Sequence, residues 1–153
     1  MSVDTPTWDT ELPPEAVKRL RPEDKGCRAV TSLTRKVETL ERWGRNGIPA
    51  GMAETVPWDR AKLRRWADVR LGLWPWADPQ VDAKDGRNAA LMERFRRALK
   101  VLEVRAKDRG ANLKRELEAK DRIIANLERQ NAELLDQIRQ LQKMVGVQPV
   151  VRR

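Results

Sequence analysis

Between Leu113 and Val145 the chain repeats its apolar residues every seven positions, and this constrains its fold more than any other feature. With Leu117, Ile124, Asn131, Ile138 and Val145 at position a, position d holds Leu113, Lys120, Leu127, Leu134 and Leu141. Eight of these ten positions are aliphatic, and no Pro or Gly interrupts them. A 3.5-residue apolar repeat keeps one narrow stripe turned towards a partner helix, so the segment reads as a coiled coil. Ile at a with Leu at d favours two parallel strands, and a single Asn at a, Asn131, fixes register by pairing with its own copy at a cost in stability. The flanks agree less well. Glu116 and Asp121 would repel across a parallel pair, and Ile123 and Leu135 widen the stripe. The alternative is a long amphipathic helix packed on its own domain.

A chain of 153 residues has room for one modest domain beside such a helix. With 36% charged residues and a mean hydropathy of −0.73, the core must be small and the protein mostly helical. The net charge is +9, and it is uneven. Residues 1–14 hold three acids and no base, residues 15–110 hold 23 bases and 14 acids, and residues 111–153 hold nine and six. A basic body upstream of an oligomerising helix points to a polyanion, nucleic acid first and an anionic membrane surface second. Cys27 is the one cysteine, and histidine is absent. That removes an internal disulfide, a cysteine–histidine metal site and histidine-based catalysis from consideration, and it fits a reducing, cytoplasmic setting. Apolar runs are too short for a membrane span, and the acidic start does not resemble a signal peptide.

Residues 1–27 read as an arm, disordered or loosely docked. Pro22 ends a short helical turn around Ala16, Val17 and Leu20, and Trp8 is either docked or free. The first firm helix is expected from about Ser32 to Arg45, with Leu33, Val37, Leu40 and Trp43 or Gly44 on one face and Gly47 as its stop. Glu38 and Glu41 precede Arg42 and Arg45 by four residues, a stabilising surface pattern. A second helix is expected from Thr55 to about Asp68, with Pro57 in its first turn and Leu63 and Trp66 facing the core. The run from Leu71 to Pro79 cannot stay helical and must pack against something, and the tryptophans supply the bulk of a small core. A last helix, capped by Asn88, runs towards Val145. Its upstream stripe of Leu91, Phe95, Ala98 and Leu102 is out of register with the heptads by one residue, so a change of packing partner is expected near residues 107–110.

The candidate DNA contacts are Arg60, Lys62, Arg64, Arg65 and Arg70, with Arg96, Arg97 and Lys100 flanking them on the long helix. Arginine outnumbers lysine here, which suits the bidentate grip on phosphates and base edges. Helix, connector and helix are compatible with a helix-turn-helix-like unit, although the connector is long for one. The rival account of the same residues is a solvated basic face balancing nearby acids. Asp78, Asp82 and Asp85 read as turn and helix-entry residues. No phosphate-cradling glycine loop and no regular acidic metal loop occurs. The expectation is a non-enzyme without cofactor or metal.

Gly47-Ile48-Pro49, Val56-Pro57-Trp58, Leu63-Arg64-Arg65-Trp66 and Leu71-Gly72-Leu73, followed by a coiled coil, resemble in layout the small DNA-binding accessory proteins of bacterial mobile elements. The resemblance covers residues 32–145, carries over no individual functional residue, and implies oligomeric binding to an element's DNA beside a recombinase or transposase. The reading as a whole is an all-α protein: an arm at 1–27, a basic Trp-rich helical head at 28–106, a parallel coiled-coil helix at 107–146 and a disordered tail at 147–153. Its expected function is that of a dimeric, non-catalytic, cytoplasmic DNA-binding accessory protein whose partners are double-stranded DNA and a second copy of itself. The competing function is a structural adaptor that docks a protein through its Trp-rich loop. A peripheral membrane-binding coil is a third reading.

Overall fold

The computed structural model describes residues 4–146, and the expected disordered tail at 147–153 lies outside the described residues. The described chain is all-helical, with one isolated antiparallel bridge, Asp68 to Leu73, and a long C-terminal helix. Helices α1 (Pro14–Lys18), α2 (Pro22–Asn46), α3 (Arg60–Arg65) and α4 (Ala89–Val145) are joined by loops that include short 3-10 turns at Thr7–Asp9 and Ala53–Thr55. The chain falls into two units, divided between Ala106 and Lys107.

In the first unit, α2 is the central element. It starts ten residues earlier than the expected Ser32, because Pro22 opens the helix as well as ending the turn before it. Proline at the first helical position loses no hydrogen bond, and Glu23 and Asp24 beside it face the positive end of the helix dipole. Gly47 ends the helix at φ 92°, a left-handed conformation that a side chain would strain, and its N–H closes onto the Trp43 carbonyl. The buried face of α2 carries Ala29, Leu33, Val37, Leu40 and Trp43, and with them the polar Arg28, Ser32, Lys36 and Thr39.

The second expected helix is shorter than its sequence implies. Val56 and Pro57 are buried, Val56 in extended backbone, and the helix waits for Asp59, whose Oδ1 accepts the Lys62 N–H at 2.7 Å. An aspartate N-cap outweighs a proline start here. α3 then ends at Arg65, where Trp66 turns extended, so it spans less than two turns. Residues 47–59 separate α2 from α3, and this is not a helix-turn-helix arrangement. Leu63 and Trp66 enter the core as expected, and the Trp43 and Trp66 rings meet with centroids 5.7 Å apart.

The loop after α3 packs tightly. Asp68 and Leu73 exchange backbone hydrogen bonds around a turn in which Gly72 has φ 67°. Leu73, Trp74 and Val81 are buried, and Trp76 is half-buried against the core. The Ser32 hydroxyl donates to the Trp74 carbonyl at 2.6 Å and accepts the Trp74 N–H at 2.8 Å, which binds the loop to α2.

Within the described part of the N-terminal arm, residues 8–10 are tied to α2 and to Trp74. Asp9 accepts both Nη groups of Arg35 at 2.6 Å and the Trp74 indole N–H at 3.0 Å. Arg28 donates to the carbonyls of Trp8 and Thr10 at 2.6 and 2.7 Å and stacks over the Trp74 ring.

α4 starts at Ala89, just after Asn88, and runs as one helix through Gly110. Met92, Phe95, Ala98 and Leu102 are its buried residues, so Met92 takes the place expected for Leu91, which is only half-buried. Asn88 donates its side-chain amide to the Val81 carbonyl at 2.9 Å. From residue 107 onwards the described part of the second unit is the remainder of this helix and Gly146, and its heptad residues are exposed.

Candidate nucleic-acid interface

The basic residues named from the sequence divide by their partners. Arg60 and Arg64 point one turn apart from α3 at Asp82, a fully buried carboxylate. Their Nε groups donate to Asp82 Oδ2 at 3.1 Å each, and the Trp76 indole N–H donates to Oδ1 at 3.1 Å. A buried carboxylate is stable only when several donors surround it. Asp82 therefore pins the 76–82 loop to α3, and these two arginines serve structure as well as surface charge.

Lys62 and Arg65 lie on the exposed side of α3. Lys62 has a loose 3.9 Å pairing with its own capping residue Asp59, and Arg65 donates only to the Ala61 carbonyl. Arg70 sits exposed in the turn that Asp68 organises, with its N–H bound to Asp68 Oδ1 at 2.9 Å. On α4, Arg96 and Arg97 share Glu93 at 2.6 and 3.5 Å, and Lys100 is exposed. Arg65, Arg70 and Lys100 form no ion pair among the described residues.

Three further arginines stand out. Glu41, placed by its spacing to support Arg45 along α2, instead pairs with Arg94 of α4 at 2.5 Å, which raises the Arg94 pKa above its ordinary value. Arg45 is left without an ion pair among the described residues. Arg105 reaches back from α4 and donates to the Arg45 carbonyl at 2.9 Å, near the end of α2. The i, i+4 spacing of Glu41 and Arg45 hid this, since an interhelical partner cannot be read from one helix.

A groove of about 1130 Å³ lies elsewhere on the first unit, among the arm, the start of α2 and the 75–88 loop. Trp8 and Trp76 line it, and Lys18, Lys25 and Arg87 carry charge at it.

The heptad residues Leu113, Leu117, Ile124, Leu127, Leu134, Ile138, Leu141 and Val145 are exposed in the single chain, and Ile138, the most covered of them, remains 49% accessible. Asn131 lies exposed in the same helix. No described helix is long and apolar enough to cross a membrane. Among the described residues no cluster of three or more Cys, Asp or Glu is placed to hold a metal ion. No family model, curated protein or solved structure matches the chain.

Proposed function

We propose that the chain is a dimeric, non-catalytic DNA-binding accessory protein, in which a basic, Trp-rich helical head meets double-stranded DNA and the C-terminal heptads pair two chains in parallel. The observation that carries this reading is the aliphatic seam from Leu113 to Val145, left open to water in one chain. Eight aliphatic side chains in heptad register need a cover, and a second copy supplies one of matching length and register. The DNA part of the proposal is supported by the +9 charge and by Arg45, Arg65, Arg70 and Lys100, which no carboxylate neutralises among the described residues. A recombinase or transposase as working partner follows from the layout alone.

The second reading, a structural adaptor, is favoured by the groove that Trp8 and Trp76 line. It draws less support from Trp74, which lies buried under the arm rather than presented to a partner. Titration of the full-length protein with a labelled duplex at low and at moderate salt separates the two. Binding that weakens steeply with salt supports the DNA reading. Absence of binding at low salt hands the function to the adaptor.

A further inference from the structure

The proposed function leaves open where phosphates would sit, and α3 is a poor answer because Asp82 already engages Arg60 and Arg64. We infer that the phosphodiester backbone docks in the cleft between the last turn of α2 and the facing turns of α4, gripped by Arg45 and Arg97. The inference rests on the DNA-binding reading and locates its contact surface.

The cleft is lined by Arg45, Arg94 and Arg97, with Glu41 as the acid among them. Glu41 is occupied by Arg94, so the local field is set by the other guanidinium groups. Arg97 is 74% exposed and meets Glu93 only at 3.5 Å, while Arg96 holds the same carboxylate at 2.6 Å. A phosphate oxygen therefore competes for Arg97 against a weak, already shared partner. Arg45 has no competing carboxylate, and a guanidinium fork matches phosphate geometry in two parallel hydrogen bonds.

One feature of the site opposes an anion. The C-terminal end of a helix carries roughly half a negative charge. Here the Arg105 guanidinium covers the Arg45 carbonyl and Gly47 closes onto the Trp43 carbonyl. Full charges on Arg45, Arg97 and Arg105 exceed that partial charge, and the balance favours a phosphate.

The shape of the cleft selects the class of ligand. Its volume is about 260 Å³, below the roughly 300–1,000 Å³ of typical small-molecule pockets, and it is open to solvent. Gly44, Ala98 and Val101 are the uncharged residues that line it. A β-carbon on Gly44 would come within 3.1 Å of Val101, which shows how closely the two helices approach.

The test uses full-length protein and a short labelled duplex, with anisotropy read at two salt concentrations. Exchanging both Arg45 and Arg97 for Gln should weaken binding on the order of tenfold and flatten the salt slope by roughly two units, about 0.9 for each phosphate no longer neutralised. The R45K/R97K form keeps the charges and should keep most of the slope. Circular dichroism checks that each variant retains its helicity. If R45Q/R97Q binds as tightly as the parent while K62Q/R65Q loses affinity, the cleft is overturned and α3 is the contact surface, with the DNA reading intact. If the parent binds no duplex but binds vesicles rich in anionic lipid, both the cleft inference and the DNA reading fall.

Discussion

Lys36 reaches the Trp76 ring from inside the core: its Nζ lies 4.1 Å from the ring centroid and donates to the carbonyls of Leu63 and Trp74 at 2.8 and 3.0 Å. The side chain is fully buried on the apolar face of α2, between Leu33 and Leu40. A neutral amine has two N–H groups, and two carbonyls wait for them. Charge on Lys36 is disfavoured by burial, which pushes its pKa down to about 7, and it is partly restored by Asp82 nearby.

The first prediction follows from that shift. In the unfolded chain Lys36 titrates at an ordinary lysine value of 10.5. Between about pH 7 and that value the unfolded state binds a proton that the folded state does not. Stability should therefore rise with pH across the window, at up to about 1.4 kcal/mol per pH unit, and the gain should vanish below it, where both states are protonated. The chain has no histidine and no tyrosine, which leaves few competing groups there. Urea unfolding at a series of pH values should show the slope, and Lys36→Met should abolish it whatever its effect on overall stability.

Asp82 provides a coupled test. It holds Arg60, Arg64 and the Trp76 indole together, and it also supports charge on Lys36. Asp82→Asn should cost on the order of 2–4 kcal/mol, less than a fully buried pair would, because the released arginines can turn to water. Loss of its charge should also depress the Lys36 pKa further, so the pH-dependent rise should start at lower pH. A D82N protein whose rise begins where the parent's does would show that the two residues are not coupled.

The arm makes a third prediction. The Arg35 fork holds the Asp9 carboxyl below its ordinary 3.8 against the opposing cost of burial, and the Trp74 indole adds a further, lesser lowering. A depressed carboxyl contributes stability above its unfolded pKa and loses it as pH falls through the folded value. Asp9→Ala should therefore destabilise the protein by roughly 1–3 kcal/mol near neutral pH and converge on the parent in strong acid. It should also open the segment before Pro14 to limited proteolysis. Unchanged cleavage there would mean that Asp9 does not hold the arm.

Periodicity carried the fold a long way. The apolar faces of α2 and α4 were legible because Leu33, Val37, Leu40, Phe95, Ala98 and Leu102 recur at helical spacing. Pro22 is ambiguous in sequence, since proline both ends one helix and opens another, and here it stands at the first position of α2. Asp82 read as a turn residue because its partners lie 18 and 22 residues away in sequence. Lys36 carried a usable signal: it falls three residues after Leu33 and four before Leu40, on the apolar face, where a solvated lysine has no place. The candidate interface was half legible. Basic composition located the arginines, but ion pairing between distant elements decides which of them stay without a carboxylate.

The last prediction concerns the seam, because the proposed function depends on what covers it. If two chains pair in parallel, Asn131 faces its own copy at an a position, burying two amides that apolar side chains would replace at lower cost. Asn131→Val should raise the melting temperature and blur the oligomeric state, giving trimers or tetramers beside dimers. Leu127→Ala and Leu134→Ala should each weaken association, by roughly 2–5 kcal/mol per site where the seam packs tightly. The head should keep its own melting transition in all three, since its core draws no residue beyond Leu102. Joining two weak heads makes the second DNA encounter intramolecular, which raises avidity by about 10²–10⁴ without any new contact. The leucine variants should therefore lose duplex affinity in step with dimer mass, even though no DNA contact has been touched. Sedimentation equilibrium and anisotropy on the same samples read both quantities. A parent protein that stays monomeric at tens of micromolar, or monomeric leucine variants that bind duplex as tightly as the parent, would break the link between seam and function.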